Sequence, residues 1–304
     1  MKANEINNNA LACLKNQEWK KAQDLFFYNA RKNPSYQTCN NLGYYLITEG
    51  LISGNEKVRN AMKLGLKYLL KSSALKATAI NNSAIITAIN YLLRDEKEDA
   101  TRLLEWAFEL SKCSLELEYS HVLQYNYLRF SYLLDKNSLY LLSQIQDLVR
   151  NYTCTESVSL YLAFLSKKRL QKDGIKCISD YGNFIDDLDK LMFFAKFGMY
   201  KEGRILCKSV LDTYAIDEQI ASAVIECYEN DCDSSIKEKE LEEVRVLLKN
   251  SICINKKAKR SILIKLFESA SYRKSRIDEF EPAIPMMDLC CYFGCSIHKI
   301  KWND

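Results

Sequence analysis

Glycine and proline are scarce in this chain, with 9 Gly and 3 Pro among 304 residues. The prolines stand at 34, 282 and 285, so the long stretch between Pro34 and Pro282 has none. Sheets, barrels and sandwiches need frequent tight turns, and those turns draw on both residues. The scarcity points instead to helices joined by short polar connections. Histidine is rarer still: His121 and His298 are the two in the chain. General acid–base catalysis most often uses His, and the sequence has no H-E-x-x-H, G-x-S-x-G, G-x-x-x-x-G-K-[ST] or G-x-G-x-x-G pattern. Acidic clusters such as Glu238, Glu240, Glu242 and Glu243 read as solvated helix faces rather than paired catalytic carboxylates. These absences predict no enzyme, no cofactor and no metal. No run of 18 apolar residues occurs, which predicts no membrane span. The opening MKANEINNNA is polar, which predicts no secretory leader.

What is present fits a folded protein: hydrophobic residues make up 48% of the chain and charged residues 27%. The net charge of +4 is too small by itself to imply a polyanionic partner. Twelve cysteines without a leader predict reduced thiols in the cytoplasm. Cys13, Cys39, Cys207 and Cys227 stand where small apolar residues are expected on helix faces, a role free cysteine fills well. The abundance of Lys, Asn, Ile and Tyr suggests an AT-rich bacterial source.

Repeated patterns appear along the chain. Between Glu18 and Pro34, Ala22, Phe26 and Pro34 follow an A-x3-F…P spacing, with Trp19 ahead of the alanine. A small Ala22 lets two helices approach, Phe26 fills the gap one turn on, and Pro34 ends the helix. Next comes Asn40-Asn-Leu-Gly-Tyr-Tyr-Leu46, whose Gly43 suits a place where a neighbouring helix packs on bare backbone. Asn81-Asn-Ser-Ala84 echoes it 41 residues on, and Tyr125-Asn-Tyr-Leu128 begins the same pattern 44 residues after that. Ala100, Leu104 and Ala107 repeat the second-helix layout, as do Gly203 and Cys207 in the alanine and aromatic slots. These segments resemble the two helices of a tetratricopeptide repeat.

The resemblance implies an all-α fold, a right-handed superhelical solenoid of about seven helical hairpins. The expected pairs span 4–34, 36–73, 76–112, 117–151, 156–184, 187–214 and 217–250. The repeat array would occupy 1–254, and 255–304 would hold a basic capping helix and a Cys/aromatic tail. Most units are longer or shorter than the family's 34 residues. For function the resemblance implies a non-catalytic scaffold or adaptor that holds a partner protein or peptide in a concave groove.

Three features carry the candidate sites. Asn41, Asn82 and Asn126 occupy one aligned position, which the resemblance places on the groove. There a carboxamide, both donor and acceptor, would hold a peptide backbone. Asn40, Tyr44, Asn81, Tyr125 and Arg129 would flank them, Arg129 facing a ligand carboxylate. The same asparagines could instead bond within the helix layer. The second feature is the stretch 249–276, which has nine basic residues against Glu268 alone, a net +8. Its Lys256, Lys257, Lys259, Arg260, Arg273, Lys274 and Arg276 form either a basic surface for nucleic acid or an acidic partner, or the polar face of a terminal cap. The third feature is the tail with Cys290, Cys291, Cys295 and His298. It has zinc-ligand residue types but no second C-x2-C knuckle, so an apolar docked tail is the expectation. The rival to the scaffold reading is a regulatory protein associated with nucleic acid or sensing a signalling peptide, with the basic helix as a second contact surface.

Overall fold

The computed structural model describes residues 2–52, 57–95, 100–136, 140–214 and 218–231. Among them are thirteen α-helices, one short 3-10 turn at Gly182–Phe184 and no strand. The chain is all-α over the described residues, as the scarcity of turn formers requires. The helices are α1 Ala3–Lys15, α2 Trp19–Lys32, α3 Tyr36–Ile52, α4 Lys57–Leu75, α5 Ala79–Asp95, α6 Ala100–Leu117 and α7 His121–Leu133. They continue with α8 Leu141–Asn151, α9 Thr155–Lys167, α10 Gln171–Tyr181, α11 Asp187–Lys196, α12 Tyr200–Thr213 and α13 Glu218–Asn230. Six of the seven expected pairs correspond to two helices each. The second half of the seventh pair and the whole of 255–304 lie outside the described residues.

The described residues form two compact units, one ending at Gln144 and the other starting at Ile145. In the first, each helix from α1 to α6 packs on the next, and α3 also packs on α5. In the second, α9 packs on α10, α11 on α12 and α12 on α13, while α11 touches both α9 and α13. Packing confined to near neighbours is the physical mark of a helical repeat.

The core of the first unit contains Leu14, Ala22, Phe26, Leu42, Tyr45, Met62, Leu69, Ala84 and Ala107. Phe26 is buried and stacks at a tilt on Tyr45, with ring centroids 5.2 Å apart. The Tyr45 hydroxyl donates to the Trp19 carbonyl at 3.1 Å, so the first two hairpins share one joint. Full burial of a side chain the size of Phe26 contributes about 1.5–3 kcal/mol. Leu191, Cys207, Val210, Ala221, Val224 and Cys227 fill the core of the second unit. Cys13, Cys39, Cys207 and Cys227 are all buried, as small apolar residues would be.

One turn geometry recurs between paired helices. Gln17, Asp135, Arg169 and Gly198 have φ of 61°, 50°, 57° and 70°. Each donates its N–H to the carbonyl three residues back, and the next residue donates to the carbonyl five back. The pairs are Gln17 to Leu14 with Glu18 to Cys13, Asp135 to Tyr132 with Lys136 to Ser131, Arg169 to Ser166 with Leu170 to Leu165, and Gly198 to Ala195 with Met199 to Phe194. This left-handed cap satisfies the last carbonyls of the first helix. Glu18, Leu170 and Met199 then share nearly one conformation, with φ between −88° and −85° and ψ between 60° and 70°. The chain thus reverses by the same backbone path in different sequences.

Candidate functional site

Three first helices of successive hairpins begin on a hydroxyl cap. Ser35 accepts from the Thr38 N–H at 3.2 Å, Thr78 from Asn81 at 3.1 Å and Ser120 from Leu123 at 3.2 Å. Each hydroxyl satisfies a backbone donor that a helix start leaves unpaired. Asn41 and Asn126 stand six residues beyond their caps and Asn82 four beyond its own, so the caps start the helices without fixing the asparagines at one offset.

Side-chain bonds tie these helices to the ones before them. Asn41 Nδ2 donates to Asn7 Oδ1 at 2.7 Å, linking α3 to α1. Asn81 Nδ2 donates to Asn40 Oδ1 at 3.3 Å, linking α5 to α3, and to the Leu69 carbonyl at 3.0 Å. Farther along, Arg129 Nη2 donates to Asn90 Oδ1 at 3.3 Å, linking α7 to α5. The Arg129 guanidinium also lies over the Phe130 ring, 5.1 Å from its centroid. These separate pairs, two between amides and one between an amide and a guanidinium, make up an amide row that ties α1 to α3, α3 to α5 and α5 to α7.

The row is less open than a solvent-facing groove would make it. Asn81, Asn82 and Asn126 are 0%, 3% and 1% exposed, and Tyr44, Tyr125 and Arg129 are buried as well. Asn40 and Asn41 are half-buried. Polar type suggested solvent, but amides that bond one another can be buried at little cost. One acceptor stands apart: Asn81 Oδ1 is buried and has no hydrogen-bond partner, although both protons of the same amide are used. Such an orphan costs about 1–3 kcal/mol of desolvation.

Asn7 and Asn90 complete the row and were missed in the sequence, where neither stands at the aligned position. The pairing of Asn41 with a residue 34 positions upstream has no local signal. The second unit has polar links of its own. The Ser159 hydroxyl donates to Asp189 Oδ2 at 3.0 Å, between α9 and α11. Burial pushes the Asp189 carboxyl above the usual aspartate range, the Ser159 bond works against this, and Asp186 adds to it. Arg204 Nε pairs with Asp231 at 2.6 Å, and Tyr200 lies 3.4 Å from Glu226 Oε1.

The basic candidates Lys256, Lys257, Lys259, Arg260, Arg273, Lys274 and Arg276, and the tail Cys290, Cys291, Cys295 and His298, lie outside the described residues. Among the described residues no group of three His, Cys, Asp or Glu side chains is placed to hold a metal ion. No described helix is long and apolar enough to cross a membrane. No family model matches the chain, and no curated protein matches it.

Proposed function

We propose that the chain is a tetratricopeptide-like scaffold of the right-handed superhelical kind, without catalytic activity. In this reading it acts in the cytoplasm and holds an extended segment of a partner protein or peptide against its first helices. The observation that carries this reading is the half-buried pair Asn40 and Asn41 on α3, bonded to amides of α5 and α1. Carboxamides placed so read a backbone without reading its side chains. The recurring left-handed turn and the neighbour-only packing support the repeat class.

The test has two stages. Partners are captured with the wild-type protein and identified, and a peptide from the bound segment is titrated calorimetrically. Asn40→Ala and Asn41→Ala should each bind more weakly, by about tenfold per backbone bond lost, while circular dichroism stays helical. Full-strength binding by both variants would remove the amide row from the interface and leave the basic stretch 249–276 as the contact surface.

A further inference from the structure

Two thiols in the second unit meet at one point. Cys207 lies on α12 and Cys227 on α13, helices that pack directly on each other. Both residues are 0% exposed and both are free. Cys207 Sγ donates to the Gly203 carbonyl at 3.4 Å, and Cys227 Sγ lies against the same glycine. A Cβ on Gly203 would collide with Cys227 Sγ and would stand 3.5 Å from Leu191 Cδ1. The bare glycine is therefore what leaves room for the second sulfur. Position 207 is the large-residue slot of the repeat pattern, yet the space is filled by two small polarisable groups from adjacent helices.

We infer that Cys207 and Cys227 form a dithiol–disulfide latch that pins α12 to α13 when a low-molecular-weight disulfide is in excess. A thiolate of either residue attacks one sulfur of the small disulfide, giving a mixed disulfide and releasing one small thiol. The second cysteine then displaces the other small thiol, and the new S–S bond joins 207 to 227. The two protons leave on the two small thiols, and the two electrons reduce the small disulfide. Burial and pairing push the Cys227 thiol far above its ordinary range, so the closed unit resists attack and reaction waits on local opening of α13. Oxidation closes a loop between the two positions and limits that opening thereafter. The latch is independent of the peptide-binding reading, because no residue of the amide row takes part.

The test uses the full chain, folded, across a series of oxidised-to-reduced glutathione ratios, with free thiols alkylated and peptides mapped without reduction. The exposed Cys113 is an internal gauge of simple surface oxidation. The expected result is a 207–227 cross-linked peptide that appears more slowly than the Cys113 mixed disulfide. It should come with a higher Tm that dithiothreitol reverses, and Cys207→Ala and Cys227→Ala should each abolish both. Glutathione on Cys207 or Cys227 with no internal link would overturn the latch. So would pairing of either residue with another cysteine, or recovery of both as free thiols once Cys113 is fully converted. The wild-type peptide map decides among these outcomes even where a variant fails to fold.

Discussion

Gly43 on α3 and Gly65 on α4 face each other across their helix contact, backbone against backbone. A Cβ added to Gly43 would stand 2.8 Å from the Gly65 carbonyl oxygen, and one added to Gly65 would stand 2.7 Å from that of Gly43. Glycine inside a helix costs about 1 kcal/mol relative to alanine, so the pair is retained for the approach it permits.

Gly43→Ala and Gly65→Ala should each destabilise the protein by about 1–3 kcal/mol, since overpacking outweighs the gain in helix propensity. Thermal melts check this, with Gly182→Ala as the control. A Cβ at Gly182 would meet nothing within 4 Å, so that variant should melt no lower than wild type. If Gly43→Ala also melts like wild type, the α3–α4 contact is looser than described.

The left-handed turns predict a pair of opposite effects. Gly198 has φ of 70°, and a side chain there costs about 1–2 kcal/mol. Gly198→Ala should therefore lower stability by about 1 kcal/mol. Gln17 and Arg169 already bear that strain, at φ of 61° and 57°. Gln17→Gly and Arg169→Gly should leave stability unchanged or raise it by up to about 1 kcal/mol, the gain being reduced by the extra freedom of glycine in the unfolded chain. Urea titrations of the three variants read these differences directly.

Asp189 gives a pH signature. Its folded-state carboxyl is raised above the ordinary aspartate value, chiefly by burial. A raised carboxyl stabilises the fold when protonated, and that contribution is lost as pH rises through the folded-state value. Asp189→Asn keeps an acceptor for the Ser159 hydroxyl but has no charge to desolvate. At neutral pH the variant should melt above wild type, and the gap should close as pH falls into the aspartate range. A constant gap across that range would mean that the carboxylate is not the cause.

The helix caps are the third structural element open to measurement. Ser120→Ala removes the acceptor for the Leu123 N–H at the start of α7. The expected loss is about 1 kcal/mol. Ser120→Asp, which can still accept, should recover most of it in the same melts.

The helices were legible because the scarcity of Gly and Pro agrees with the recurring spacing of small and aromatic residues. The expected pair 187–214 corresponds to α11 and α12, and 36–73 to α3 and α4. Gly43 was read as the site of a close helix approach, and its neighbour is indeed bare backbone. The turns were not legible as turns. Three of the four left-handed positions are Gln17, Asp135 and Arg169, because paired hydrogen bonds hold a conformation that composition would assign to glycine. The aligned asparagines were visible as a pattern, but their burial was not. A polar residue signals solvent until its partner is known, and the partner of Asn41 is Asn7 on α1, of Asn81 is Asn40 on α3, and of Arg129 is Asn90 on α5.

Because the helices of the first unit pack on near neighbours in sequence, few of its contacts close a long loop of chain. Low contact order of this kind makes folding fast and local. A hairpin such as α1–α2 can form as soon as it leaves the ribosome, and each later hairpin docks on a surface already in place. Synthesis itself would then set the order of assembly of the described helices, from Ala3 toward Leu133.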